Sequence, residues 1–252
     1  PYTASSTSLS TLMPDELLAD GKDSVNARLS RPEIRKKTVS YLLARLSKRK
    51  LNHFNYTVIA NYPYDTSLNG LSIEKANLKL GRKHTAEREA DLIIDMMMNG
   101  GAGMVFHGMS EEDVKNIMKY PYNMIASDAT IRIPGMGHPH PRGYGTNARV
   151  LGKYVREEKI ITLEDAVRRM TSLPAQKFNL TGRGLLLPDM FADIVVFDPE
   201  QVKDLSTFEM PHQYSTGFSY VVVNGRLVID QGKHTGVRSG SILKGGKLNN
   251  RK

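Results

Sequence analysis

Apolar residues in the front third of the chain recur at helical spacing, broken by polar loops. Pro14-Asp-Glu-Leu-Leu predicts a short helix, with proline early and acids in its first turn, and Gly21 is placed to end it. Ser30 and Glu33 stand at capping-box spacing. Beyond them Ile34, Val39, Leu42, Leu43 and Leu46 form a stripe opposed by lysine and arginine. Tyr56-Thr-Val-Ile-Ala, bounded by Asn55 and Asn61, predicts a short strand. Residues 72–80 and 85–98 predict two further helices, each followed by glycine. The run Met96-Met97-Met98 lies beside Leu92 and Ile93, which makes it core filler rather than a cofactor box.

Strand and helix patterns then alternate. Met104-Val-Phe predicts a strand, Ser110-Glu-Glu-Asp caps a helix through Met118, and Met124-Ile-Ala-Ser predicts a continuous apolar strand ending at Ser127 and Asp128. Residues 129–148 read as a loop rich in Gly, Pro and His, and Thr162 with Asp165 caps another helix. Such alternation implies a parallel sheet covered by helices. The end of the chain is all β. Ala192-Asp-Ile-Val-Val-Phe-Asp predicts a buried strand, and Tyr220-Val-Val-Val, Asn224-Gly225, Arg226-Leu-Val-Ile predicts a hairpin with a type I′ turn.

Composition narrows the class. With 252 residues, 40% hydrophobic and 24% charged, the chain suits one large domain, or one domain with a smaller partner. No apolar run approaches about 18 residues, so no transmembrane helix is expected. Cysteine is absent, which excludes disulfides and thiolate metal ligands. The net charge of +9 is local: residues 28–50 carry +8, the segment after Asp230 carries +6, and the remainder sums to −5. No nucleic-acid-reading motif accompanies this basicity and Trp is absent, so it reads as solvated helix and tail charge. The chain begins at Pro1 with no signal-peptide pattern, and is expected to be the C-terminal part of a longer polypeptide.

Two features carry candidate chemistry. Asp128, at the end of a predicted strand and before a Gly/His-rich loop, occupies the position where α/β barrels keep catalytic groups, able to bind a metal or move a proton. The competing reading is an Asp that only caps loop amides. His138-Pro-His140-Pro-Arg142 is the densest polar cluster, but its prolines and glycines make it a poor strand and a weak metal signal. It suits a loop lining the site, with Arg142 gripping a carboxylate bidentately, or a rigid structural loop. His53, His84, His107, His212 and His234 have no partner at ligand spacing and read as surface or packing residues.

In order along the chain stand Pro1-Tyr-Thr-Ala-Ser-Ser-Thr, Met109-Ser-Glu-Glu-Asp-Val, Ile125-Ala-Ser-Asp and His138-Pro-His-Pro-Arg-Gly-Tyr-Gly-Thr. They are followed by Arg149-Val-Leu-Gly-Lys-Tyr-Val-Arg-Glu, Leu163-Glu-Asp-Ala-Val-Arg-Arg-Met-Thr-Ser-Leu-Pro-Ala, Arg183-Gly, Ala192-Asp-Ile-Val-Val-Phe-Asp-Pro and Val223-Asn-Gly. Taken in that order, they resemble the N-acyl-D-amino-acid deacylase (D-aminoacylase) family of metal-dependent amidohydrolases. Ala129 stands where that family usually has Gly, Asn147 where it has an aromatic residue, and Asp189 where Gly is common.

The resemblance implies an α/β fold, the C-terminal part of a TIM-type (β/α)₈ barrel with a helical insertion, followed by strands of a small β-sandwich. Residues 1–11 would end the seventh barrel strand, and 12–103 would form a mainly helical, mobile lid. Residues 104–178 would supply the last strand–helix units, with Asp128 ending the eighth strand, and 179–252 the sandwich strands and basic tail. It implies zinc-dependent hydrolysis of N-acyl-D-amino acids, with Asp128 as catalytic residue and metal ligand and Tyr2, Ser6, His140 and Arg142 as substrate contacts. The remaining zinc ligands are expected upstream of Pro1, so the isolated chain is expected to bind zinc poorly and to be inactive. The expected partners are a small N-acyl amino acid and the upstream part of the same polypeptide, with no nucleic acid and no membrane. The compartment stays open, the cytoplasm being favoured for a bacterial-type enzyme. The alternatives are a cyclic amidohydrolase resembling dihydroorotase or hydantoinase, and a non-catalytic basic binding or scaffold protein.

Overall fold

In the computed structural model, which describes residues 1–245, two units form: Tyr2–Met109 with Arg132–His140, and Pro1 with Ser110–Ile131 and the chain from Pro141 onward. The first unit begins with β1 (Ala4–Ser8), a 3₁₀ turn at Leu9–Leu12, and the helices α1 (Asp15–Leu18), α2 (Lys22–Leu29) and α3 (Pro32–Lys48). It continues through β2 (Thr57–Asn61), α4 (Ile73–Lys79), α5 (Ala86–Met98) and β3 (Gly103–His107). The strands make one sheet in the order β1-β3-β2, with both pairings antiparallel.

Local chemistry sets the helix boundaries. Ser72 Oγ accepts the Lys75 N–H at 3.1 Å and Thr85 Oγ1 the Arg88 N–H at 3.4 Å, which starts α4 and α5 where the sequence places them. The expected capping box at Ser30 and Glu33 does not form. Pro32 opens α3 and has no N–H to be capped, and the Ser30 hydroxyl instead donates to the Asn26 carbonyl at 2.8 Å, closing α2. Gly21 likewise starts α2 instead of ending α1, using the positive φ of +84° that glycine tolerates. Leu92, Ile93, Ile94 and Met96 of α5 are buried, and each stabilises the fold by roughly 1.5–3 kcal/mol relative to exposure. Met97 and Met98 pack against the same core, as expected of the methionine run.

The second unit contains α6 (Glu111–Lys119), then α7 (Arg142–Arg149), which passes into π-helical turns over Val150–Glu157, then α8 (Leu163–Met170) and α9 (Ser172–Lys177). A four-stranded antiparallel sheet follows, β4 (Ile194–Phe197), β5 (Phe218–Val223), β6 (Arg226–Asp230) and β7 (Lys233–His234), in sequence order. Asn224 and Gly225 both take positive φ, the requirement of the type I′ turn between β5 and β6. At Gly145, inside α7, a Cβ would run into the Asp204 carboxylate.

Four expectations are corrected. The strand pairs among the described residues are all antiparallel, where the alternation of strand and helix patterns implied a parallel sheet. Residues 124–131 make no ladder, since the Ile125 N–H donates to the Arg169 carbonyl at 3.2 Å and no adjacent strand offers the row of partners that a parallel strand needs. The loop expected over 129–148 ends at Pro141, where α7 begins. The predicted β4 strand is present but not buried, with Val195 50% and Val196 47% exposed. No helix among the described residues is long and apolar enough to cross a membrane.

Candidate active site

Asp128 projects from the irregular segment after α6. Its φ of +48° is left-handed, a conformation that Asp tolerates better than most residues, and its side chain is 84% exposed. The first residue of α7, Arg142, reaches it from the same unit, with Nη2 lying 2.8 Å from Asp128 Oδ2. Arg142 is itself mostly buried, so the pair joins a largely enclosed guanidinium to a solvated carboxylate. An exposed pair of this kind adds about 0–1 kcal/mol.

The approach to Asp128 is held by a residue that the sequence reading passed over. Arg169, in α8, is 1% exposed. Its Nη1 donates to the Met118 carbonyl at 2.6 Å, the Tyr120 carbonyl at 2.9 Å and Asn123 Oδ1 at 2.6 Å, and its Nε to Asp165 Oδ2 at 2.8 Å. One guanidinium therefore ties residues 118–125 to α8. Hydrogen bonding to Arg169, and then to Arg168, holds the Asp165 carboxyl below its ordinary value. Asp165 and Arg169 at i, i+4 on one helix were the available signal. Glu111 sits in a second polar knot, accepting from Lys153 Nζ at 2.6 Å and the Tyr154 hydroxyl at 2.9 Å. Burial opposes its ionisation, but these donors outweigh burial and keep its carboxyl below the usual value. Burial, followed by the bond to Glu111, pushes the Tyr154 phenol up.

The other three residues singled out in the sequence lie in the first unit. Tyr2 is buried, with its ring edge-on to His140 at 5.1 Å between centroids. His140 is 1% exposed, and its Nε2 meets the Ala4 carbonyl at 2.9 Å, a contact that requires Nε2 to carry the proton. Ser6 is half-buried in β1, paired with Val105 of β3. Thus Asp128 and Arg142 are brought together in one unit, and Tyr2 and His140 in the other.

A catalytic zinc takes about three protein ligands. Among the described residues no group of three His, Asp or Glu donors gathers around Asp128. The group that does exist, His53, Glu74, His84 and Glu89, belongs to the first unit. Within the second unit an apolar cavity of about 750 Å³ opens between α8 and the β4–β5 sheet, lined by Leu151, Val167, Met170, Phe197 and Phe218, with Asn147 at its edge.

The amidohydrolase family is the class that the sequence and this framework define. Its family model matches residues 51–229, well over half of the chain, and the chain belongs to it. Among individual relatives, the N-acyl-D-glutamate deacylase of Alcaligenes xylosoxydans xylosoxydans is 43% identical over 143 residues, 57% of this chain and 28% of that protein. A D-aminoacylase structure, described for its binuclear metal centre, superposes with a TM-score of 0.70 at 32% identity, covering 97% of this chain and 41% of that one. The N-acyl-D-glutamate deacylase of Bordetella bronchiseptica, complexed with zinc and a phosphonate mimic of the tetrahedral intermediate, superposes at 0.69 with 31% identity and the same coverage. The chain therefore has the amidohydrolase-family fold of the D-aminoacylase structures over nearly its whole length, while spanning well under two thirds of each of these relatives.

Proposed function

We propose that the protein to which this chain belongs hydrolyses the amide bond of N-acyl-D-amino acids, and that Asp128 is its proton-carrying carboxylate. The observation that carries the reading is the Asp128–Arg142 pair: an exposed carboxylate held by a mostly buried guanidinium, in a chain that is 43% identical to an N-acyl-D-glutamate deacylase over 143 residues. In the reaction, water oxygen bonds to the acyl carbon, Asp128 takes the water's proton, and the C–N bond breaks as that proton passes to the departing nitrogen. The products are a carboxylate and a free D-amino acid. Arg142 is assigned to grip the substrate carboxylate, whose geometry a planar guanidinium matches. The assignment of Tyr2, Ser6 and His140 to substrate contact rests on the resemblance alone. The metal is assigned as zinc, with its ligands mainly outside this chain, and the barrel and sandwich implied by the D-aminoacylase resemblance remain the architecture of the whole protein.

The complete protein should release free amine from N-acetyl-D-glutamate, N-acetyl-D-aspartate or N-acetyl-D-methionine, and not from the L-enantiomers or from dihydroorotate. Turnover of dihydroorotate with no release from the acylated D-amino acids would overturn the reading in favour of a cyclic amidohydrolase.

A further inference from the structure

We propose that His53, Glu74, His84 and Glu89 form a second metal site, a closed structural one for a divalent transition ion with zinc as its natural occupant. Three stretches of the first unit supply it: the loop between α3 and β2 (His53), α4 (Glu74), and the start of α5 with the loop before it (Glu89, His84). Their four donor atoms all lie within 4.8 Å of one another. His53 Nδ1 is 2.6 Å from Glu89 Oε1 and 4.0 Å from Glu74 Oε1, and His84 Nε2 is 2.8 Å from Glu74 Oε1. The two imidazole rings stack at 4.2 Å, tilted by 22°.

Charge makes a cation the economical solution. The Glu89 side chain is fully buried, and among the described residues no lysine or arginine comes within 4.0 Å of it or of Glu74. With both imidazoles neutral the cluster carries −2 around a buried carboxylate, an expensive arrangement. With both protonated, two like charges stack face to face. A divalent ion balances the carboxylates while the imidazoles stay neutral.

The donor set selects the ion. Two imidazole nitrogens suit zinc and its neighbours and not calcium or magnesium, which take oxygen ligands. Around a tetrahedral zinc with bonds of about 2.0–2.2 Å, donors stand roughly 3.3–3.5 Å apart, so the short pairs must open by under about 1 Å and the wide ones, within 4.8 Å, must close by up to about 1.5 Å. Glu89 is already oriented for this, because its Oε2 accepts the Phe54 N–H at 2.7 Å, the outer hydrogen bond that a ligating carboxylate uses. Four protein donors leave no open position, which marks a structural site that ties the α3–β2 loop to α4 and α5. On this proposal the chain alone binds zinc here, apart from the catalytic zinc to which the expectation of poor binding referred.

The 252-residue chain, stripped with chelator and titrated with zinc alone, should bind one equivalent by elemental analysis. At about a hundredfold excess over Kd, its Tm should rise by about 5–10 °C. Cobalt(II) should give visible d–d bands of a tetrahedral site. His84→Ala, at a half-exposed side chain, should lose the equivalent, the bands and the Tm shift, and the isosteric Glu74→Gln should weaken binding about tenfold or more. Asp128→Asn should keep all three signals, which separates this site from any metal held at Asp128. Equal zinc content in the wild type and His84→Ala, or no cobalt bands in the wild type, would overturn the proposal.

Discussion

In the first unit, α5 sends Leu92, Ile93, Ile94 and Met96 into a cluster of twenty-two buried apolar residues that also takes in β2, β3 and α3, whereas the second unit gathers only seven around Tyr154 and Ala166. The second unit also leaves Leu186 76%, Ile117 64% and Val195 50% exposed. Arginine makes up part of the deficit. Arg169 binds the Met118 and Tyr120 carbonyls, Arg168 the Pro121 carbonyl, and Arg156 those of Pro199 and Val202. Met118 is in the last turn of α6 and the other carbonyls lie in irregular chain, and a guanidinium with five donors can serve several at once. The first unit has such clamps too, Arg28 binding the Leu17 and Ala19 carbonyls and Arg45 that of Thr11, but there they add to a large apolar core, whereas in the second unit they stand beside a small one. The candidate catalytic Asp128 hangs from the second unit, so its position depends on residues such as Arg169 that never touch a substrate.

The largest expected effect is chemical. Asp128→Asn in the complete protein keeps size and hydrogen bonding but cannot accept the water's proton, so kcat should fall by about 10²–10⁴-fold with KM changed much less. Arg142→Ala should show the opposite bias. Metal content, measured alongside, must stay constant, since an Asp that also ligates the ion would lose activity by losing it. Near-normal turnover would reduce Asp128 to a solvated loop residue.

Much of the first unit was legible in the sequence because its cues are local. Ser72 and Thr85 cap where their side chains reach an amide three residues on, and the Leu92–Met96 face follows from helical period alone. The Asn224-Gly225 turn is equally local. The misses share a cause: long-range pairing overrode the pattern. Met124-Ile-Ala-Ser has the composition of a buried strand, yet a strand exists only where neighbours supply its hydrogen bonds. The His53 and His84 cluster joins residues up to 36 positions apart, with no compact spacing to reveal it. Asp128 and Arg142 were singled out by position and composition before any resemblance, but their 2.8 Å contact is a property of the fold that neither motif contains.

Arg169→Met should cost about 3–5 kcal/mol, the price of breaking a buried ion pair and stranding the carbonyls that it binds. The loss should fall on the second unit: amide exchange should quicken in α6 and α8 and not in α5 or β3. Arg169→Lys should recover little, because an ammonium cannot span the same fan of acceptors. Equal loss of protection in both units would break the comparison. Ile93→Ala makes the converse test, with about 2–5 kcal/mol lost through a cavity in the first unit's core.

Acid should separate the units by a smaller margin. The Asp165 carboxyl lies below its ordinary 3.8 in the folded chain, and that of Glu111 below its ordinary 4.5. A depressed folded pKa means that the stabilisation is present above the unfolded value and is lost as pH falls through the folded one. Protection of α6 and α8 should therefore fade from about pH 4.5 downward, with little change between pH 5 and 7. A loss that instead began near pH 6 would implicate histidine and displace this account.

The smallest effect tests the exposed sheet. Val195 lies in β4 beside the apolar cavity and is half exposed, so Val195→Thr exchanges one methyl for a hydroxyl that water can reach. For this chain the change should stay within about 0.5 kcal/mol, against several for Ile93→Ala. Denaturant midpoints of the two variants, measured with unchanged m-values, give the contrast directly. A loss above about 1 kcal/mol for Val195→Thr would mean that the hydroxyl is being forced into a packed interface, since an unmatched buried hydroxyl costs about 1–3 kcal/mol. The second unit would then have a core on this face larger than its seven buried residues, and the clamps formed by Arg156, Arg168 and Arg169 would be reinforcing that core instead of replacing it.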